Sequence, residues 1–453
     1  MAAPLLPSRV SDEATPLLPA PPELEQPEGS KLWPKKASPF FITTIAILWV
    51  LIIEFGDELI NPAQTRVFES IYCQLYYKDH DPSLIGNDGH GGVDEKWCKI
   101  PVVQGQVAML KGWQNTLNAI GSGSSSVAAA MIYTIISDVT PEEGRITIFL
   151  RVQAASIATQ VGAPILSAAL MNLHPWVPML SGVAIMAIPL LLVFYLPETL
   201  DYNATETDSG TTSYSSSTMS AKPEPFVKKM FHTISSSLSF LGSDVRILFI
   251  LPAFFLHMLI LNRDTLLQYI STRYAISIAS ATVLISVRSG LILFSLLLFL
   301  PALSHLLRHR LQLSSQKSDL VLAQGSTIIM SLGFLMIALA PTIPILMVAL
   351  TLNSFGWGLT LFLRSLITSL VEEHHIARLN ALVGVVDTMG FMIGSPSLAW
   401  AFEEGLELGG WRTGLPFLIC AGALAVVVVF QAGIRIREDN KAQHTSEDLA
   451  REG

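Results

Sequence analysis

Gly414-Leu-Pro-Phe-Leu-Ile-Cys-Ala-Gly-Ala-Leu-Ala-Val-Val-Val-Val-Phe-Gln-Ala-Gly-Ile434 carries no charged side chain from end to end. The hydrocarbon core of a bilayer is about 30 Å thick and takes about 20 apolar residues in helical form. Within it every backbone N–H and C=O must be bonded inside the segment, so this stretch reads as a membrane-spanning helix. Outward from it, similar runs lie near residues 40–60, 112–137, 146–170, 176–196, 246–262, 279–300, 319–340, 343–363 and 379–402. Together they make about ten spans. Their separators are polar or carry proline, as in Pro141-Glu-Glu-Gly144 and Pro341-Thr-Ile-Pro344. The expected fold class is all-α, a polytopic membrane protein.

Composition agrees with that reading. Of 453 residues 51% are apolar and only 14% charged, with a mean hydropathy of +0.49, whereas soluble chains carry about 25% charged residues. The remaining charge is bunched into tails and loops, and nothing in it points to nucleic acid. No HExxH, GxSxG or Walker pattern occurs, so the chain is not expected to be an enzyme or to need a cofactor. Cys73, Cys98 and Cys420 form no CxxC pair, and His257, His374 and His375 each lack a second ligand at helical spacing. No metal site is expected.

Lysine and arginine set the orientation. Alternating the spans from a tail that holds Arg9, Lys31, Lys35 and Lys36 gathers most of the basic residues on the tail's side, so both termini are expected in the cytosol. The division that follows is a disordered tail over 1–39, an N-terminal bundle over 40–197 with an exterior loop at 62–111, a Ser/Thr-rich cytosolic linker over 198–243, a C-terminal bundle over 244–435 and a tail over 436–453. In the first tail, Glu13-Ala-Thr-Pro-Leu17-Leu18 has the spacing of an acidic dileucine signal read by sorting adaptors; the alternative is a chance match. Cys73 and Cys98 share the exterior loop, where a disulfide can persist, the alternative being two unpaired thiols. The sequon Asn203-Ala-Thr205 falls in the cytosolic linker and is expected to stay unmodified.

Asp138-Val-Thr-Pro-Glu-Glu-Gly-Arg145, followed by a span with Gly162-Ala-Pro164, returns in looser form about 230 residues later as Glu372-Glu373, Arg378 and Gly394-Ser-Pro396. A repeat of that kind describes two similar bundles with substrate held between them. On Ser137-Asp-Val-Thr-Pro-Glu-Glu-Gly-Arg145 and Leu196-Pro-Glu-Thr-Leu200 the chain resembles the major facilitator superfamily, its fungal members in particular, over residues 40 to 435. The resemblance implies twelve spans in two bundles and alternating access without ATP hydrolysis. Only about four spans precede the linker where the family has six. Lys111-Gly-Trp-Gln-Asn-Thr-Leu-Asn-Ala-Ile120 is similar to the start of the family's second span, and Gly121-Ser-Gly-Ser-Ser-Ser-Val-Ala-Ala-Ala130 to the interior of its fourth. Thr159-Gln-Val-Gly-Ala163-Pro164-Ile-Leu-Ser167-Ala168 resembles the family's antiporter signature, which implies efflux. The alternative is an ordinary proline-kinked helix.

Ionisable groups near hydrocarbon are costly and are the natural candidates for function. Glu54, Asp57 and Glu58 share one helix face at i, i+3 and i+4 near the outer end of the first span. They are candidates for carrying a proton, or they merely cap the span. Arg288 lies well inside a span, and Arg364 and Asp387 lie within or near two others. Arg288 is the first candidate to bind an anionic or polar substrate group; a structural ion pair is the other reading. The sequence thus leads to a transporter of a small organic molecule, most simply an exporter of a fungal secondary metabolite or toxic compound by proton antiport. Proton-coupled uptake and a transport-incompetent truncated form are the alternatives. Residence is expected in the plasma membrane, with the vacuolar membrane as the other possibility.

Overall fold

The computed structural model describes residues 39–86, 92–121, 142–192, 245–260, 263–310, 314–369, 371 and 376–434. Glu13, Leu17 and Leu18, the linker 198–243, the tail 436–453, His374 and His375, and the segment 122–141 lie outside the described residues. Those described are helical with no strand. Five of the helical stretches, Ile278–Arg310, Gln316–Leu339, Ile343–Ser369, Leu382–Leu408 and Gly410–Ala432, are long and apolar enough to cross a membrane. The protein is an all-α multi-pass membrane protein.

Helix α1, Pro39–His80, has 42 residues. At 1.5 Å per residue that is about twice the thickness of a bilayer's hydrocarbon, so its second half projects beyond the span expected over 40–60. Helix α2, Pro101–Gly121, follows, and then α3, Glu142–Met171, and α4, Trp176–Leu192. After the linker come α5, Val245–Ile260, and α6, Arg263–Arg273. Helix α7, Ile278–Phe294, runs through one wide turn at Ser295–Phe299 into α8, Leu300–Arg310. Helices α9, Ser315–Leu339, and α10, Ile343–Phe355, precede a tight turn at Gly356–Gly358 and α11, Leu359–Ser369. The last two are α12, Ile376–Leu408, and α13, Leu415–Ala432.

Two elements depart from expectation for the same physical reason. The second span, expected to begin at 112, is preceded by helix already from Pro101, and the described part of that helix reaches Gly121. Lys111 and four amides over 104–115 make that region read as loop, yet Gln104 and Lys111 are buried. Likewise the span expected to stop at 262 is followed by α6, in which every residue from Asp264 to Ser271 is buried. Charged residues end an apolar run on paper. Here they are withdrawn from lipid by partners on other helices.

Packing joins the two halves along two lines. Helix α2 lies along α12, and α3 lies along α7. The first contact is tight because Gly112 has no side chain: a Cβ there would come within 2.8 Å of Ala399 Cβ and 3.0 Å of the Ser395 carbonyl. Ala163 and Ser167 of the expected antiporter-like motif are buried, and Ser167 Oγ donates to the Leu59 carbonyl of α1 at 2.7 Å. The Pro164 segment therefore sits close against the helix that carries the three acidic candidates. A large apolar core links α5, α6, α7, α9, α12 and α13.

Candidate functional site

Between the halves, at the end expected to face the exterior, lies a polar seam. Arg263, at the start of α6, donates through Nη1 to Glu58 Oε1 of α1 and through Nη2 to Gln160 Oε1 of α3. One residue on, Asp264 faces Lys111 of α2 at 3.5 Å and accepts from Asn115 Nδ2 at 2.8 Å. Lys111 Nζ also donates to Asn61 Oδ1 at 2.7 Å and Gln64 Oε1 at 3.2 Å. Side-chain exposure of Lys111 and Asp264 is 3% and 8%. Buried charges persist only when paired and hydrogen-bonded, and these two are. Within the seam a cavity of about 30 Å³ is lined by Glu58 and Asn61, Gln160 and Pro164, Arg263 and Asp264, and Thr282 and Ile285. It has room for a water molecule or two, not for an organic substrate.

A second layer lies beyond the seam. Cys73 near the far end of α1 is disulfide-bonded to Cys98 in the short turn Glu95–Cys98 that precedes α2. Beneath the bond the fully buried Glu69 accepts from Lys99 Nζ at 2.6 Å, Gln104 Nε2 at 2.5 Å and Arg66 Nη1 at 3.3 Å. Desolvation pushes the Glu69 carboxyl above its ordinary range, and the Lys99 ammonium pulls against that. Glu95 takes Lys99 at 2.9 Å and Arg66 at 3.2 Å, and its Oε1 also accepts from the backbone N–H of Ile278 at 2.7 Å. Ile278 is the first residue of α7, so this contact runs from the N-terminal half to the C-terminal half. A carboxylate at a helix N-terminus is favoured by the unpaired amides and by the helix dipole.

The remaining candidates fall into separate groups. Glu54 accepts from Thr159 Oγ1 at 3.5 Å, within the same half, and Asp57 is exposed. Of the three acidic candidates on α1, Glu58 is the one that pairs across the seam. Arg364 of α11 and Asp387 of α12 form an ion pair at 2.8 Å, with the Arg364 guanidinium 5.9 Å from the Phe254 ring. Arg288 donates through Nε and Nη2 to Asn353 Oδ1, at 3.3 and 2.9 Å, and lies 5.1 Å from the centre of the Trp357 ring. Lys111, Arg263, Asp264, Glu69 and Glu95 were not among the residues singled out from sequence, and the only signal for them is charge next to an apolar run.

The chain matches the family model described as Major Facilitator Superfamily over residues 116–395. It is similar to the MFS-type transporter aprT of Aspergillus flavus, 28% identical with 96% of this chain and 97% of that protein covered. It is also similar to the MFS efflux pump atnC of Emericella nidulans, 26% identical with 95% and 94% covered. Among solved structures, a D-xylose-proton symporter is 15% identical at a TM-score of 0.52, covering 89% of this chain and 100% of that one. At that identity the likeness is one of fold. The match to aprT runs over 505 positions although this chain has 453 residues, so aprT holds residues inside the matched region that this chain lacks.

Proposed function

The chain belongs to the major facilitator superfamily and is a transporter, not an enzyme, and from that premise we propose that it exports a small organic molecule from a fungal cell in exchange for protons. The substrate would pass between two bundles, residues 40–197 and 244–435, with the seam as the exterior gate. The observation that carries the reading is the pair Glu58–Arg263, backed by Lys111–Asp264, which ties the halves together over a cavity too small for substrate. Protonating Glu58 removes its attraction for Arg263 and loosens the gate. That couples proton arrival from outside to opening, which is what an antiporter requires. The names of the relatives, one of them an efflux pump, support the outward direction.

The test uses inside-out membrane vesicles that contain the full chain and carry a proton gradient. Addition of an exported compound should release part of that gradient, and Glu58→Gln should abolish the release while the protein remains in the membrane. Export that leaves the gradient untouched refutes antiport. Plasma-membrane residence belongs to the same proposal; a fluorescent fusion found on the vacuolar membrane would replace it. The surplus positions in the aprT match support a second reading, a form with impaired transport. Full-length transcripts across the codons for Ile120 and Gly121 decide whether that junction is real.

A further inference from the structure

Arg288 sits in the middle of α7 and is only 4% exposed. Arg66, Arg263, Arg308 and Arg364 each face a carboxylate. Arg288 faces none among the described residues, although it is buried. Withdrawing a guanidinium from water without a counter-charge is costly, which is why buried charges are ordinarily paired. One amide oxygen and one indole face repay only part of that.

Three further observations converge on the same place. His257 of α5 is also 4% exposed, neither ring nitrogen has a partner among the described residues, and its ring lies 5.9 Å from that of Trp357. Asn353 is fully buried, and while its Oδ1 serves Arg288 its Nδ2 has no partner among the described residues. Helix α10, which carries Asn353, gives way to the tight turn Gly356–Gly358 that holds Trp357, and α7 opens into a wide turn at Ser295–Phe299. Irregular backbone at membrane depth is tolerated where it lines a cavity or a binding site. Ile285, which lines the seam cavity, precedes Arg288 by three residues on α7. The cluster therefore lies about one helical turn further along the path between the halves.

We propose that Arg288, His257 and Asn353, gathered on the ring of Trp357, form the binding site for an anionic group of the transported molecule, which by class is an aromatic carboxylate. The inference rests on the transport reading above and adds the substrate class to it. The guanidinium supplies the charge, the imidazole N–H and the amide N–H supply further donors, and the half-buried indole offers a face for a planar ring. Bound carboxylate would complete the donors that the described residues leave unmet, and a neutral compound would leave Arg288 as it stands.

The test is a binding measurement without any gradient, on the purified full chain in lipid nanodiscs. Cys420 is buried and is the cysteine outside the disulfide, so a thiol-reactive fluorophore reports thermal unfolding. Probes are benzoate and 1-naphthoate, each against its own carboxamide. Both carboxylates should raise the unfolding midpoint and the carboxamides should not. Arg288→Gln should weaken 1-naphthoate at least tenfold, Arg288→Lys less, and His257→Gln a few-fold. Equal stabilisation by carboxamides, no stabilisation by either carboxylate, or unchanged binding in Arg288→Gln overturns the site. The comparison of each acid with its amide uses the unaltered chain, so it stands even where a variant fails to fold. Failure here is separable from failure of the transport reading: a chain that binds 1-naphthoate through Arg288 but moves nothing refutes transport alone, and a chain that exports neutral compounds with Arg288→Gln unimpaired refutes the anion site alone.

Discussion

Replacing Lys111 by methionine tests the gate most directly, because the change keeps the length of the buried side chain and removes only its charge. The Lys111–Asp264 separation is 3.5 Å with both groups almost fully buried. At an effective dielectric of about 20, unit charges at that distance attract by about 5 kcal/mol, part of which offsets their desolvation. Removing one partner leaves the other buried without this opposite charge, at a cost of about 3 kcal/mol or more. Because the pair joins the two halves, that cost falls on the closed arrangement and is relieved when the halves part. About 3 kcal/mol corresponds to about a 150-fold change in the open-to-closed ratio. The assay introduces Thr282→Cys, which lines the seam cavity near the outer end of α7, and measures its labelling by a membrane-impermeant thiol reagent applied from outside. The background is favourable, since Cys73 and Cys98 are bonded and Cys420 is buried. Lys111→Met and Asp264→Asn should each raise the labelling rate by about 10- to 100-fold, and the double variant should fall back toward the parent because neither charge is then stranded. A double variant that labels at the product of the single effects, or singles that label like the parent, would show that the pair does not hold the gate shut.

Two further outcomes follow from the packing. Replacing Cys73 and Cys98 together by serine should cost about 3.5 kcal/mol, the loop-closure value for a separation of 25 residues, read as a lowered unfolding midpoint; no change in the midpoint would mean that the Glu69 cluster holds the exterior cap by itself. Gly112→Val should destabilise by about 1–3 kcal/mol through overpacking against Ala399 and Ser395, whereas Gly290→Ala, where a Cβ meets nothing within 4 Å, should be neutral or slightly stabilising; equal effects in thermal unfolding would contradict the α2–α12 contact.

The spans that could be read from sequence are those in which lipid alone decides, because an uncharged run such as 414–434 has few alternatives to a membrane helix. Helices α2 and α6 escaped that test. Their charges are balanced by residues far along the chain, 205 residues away for Arg263 and Glu58 and 149 for Asn115 and Asp264. No local pattern carries information at that range. Glu58 and Arg288 were visible as charges within or at the edge of apolar runs, which is the signal the bilayer imposes on any sequence. Their partners were not: Arg263 lies just past the expected end of a span and Asn353 is neutral and unremarkable among many amides, and only the fold brings them to 58 and 288. A charge set on hydrocarbon locates such a residue and says nothing of what completes it.

The contrast between the two charged groups bears on how a gate and a binding site divide their work. Every charge in the outer seam has an opposite charge or a set of amides across the interface, and Glu95 adds a carboxylate to the start of α7. Such pairs add little net stability over an apolar contact, since their attraction is largely spent on desolvation. Their value is that the broken state is also reachable: once the halves part, water solvates each partner, so the penalty for opening is smaller than for exposing an equal area of hydrocarbon-like core. An apolar seam of the same extent would hold the halves together and resist alternation. Arg288 is the opposite case, a charge with no opposite charge among the described residues, so on the proposed reading its energy would fall when something anionic arrives. On the proposed reading, a seam that is satisfied when closed, above a site that is satisfied only when occupied, would favour entry of substrate from the inner side and would keep the outer gate shut until it is protonated.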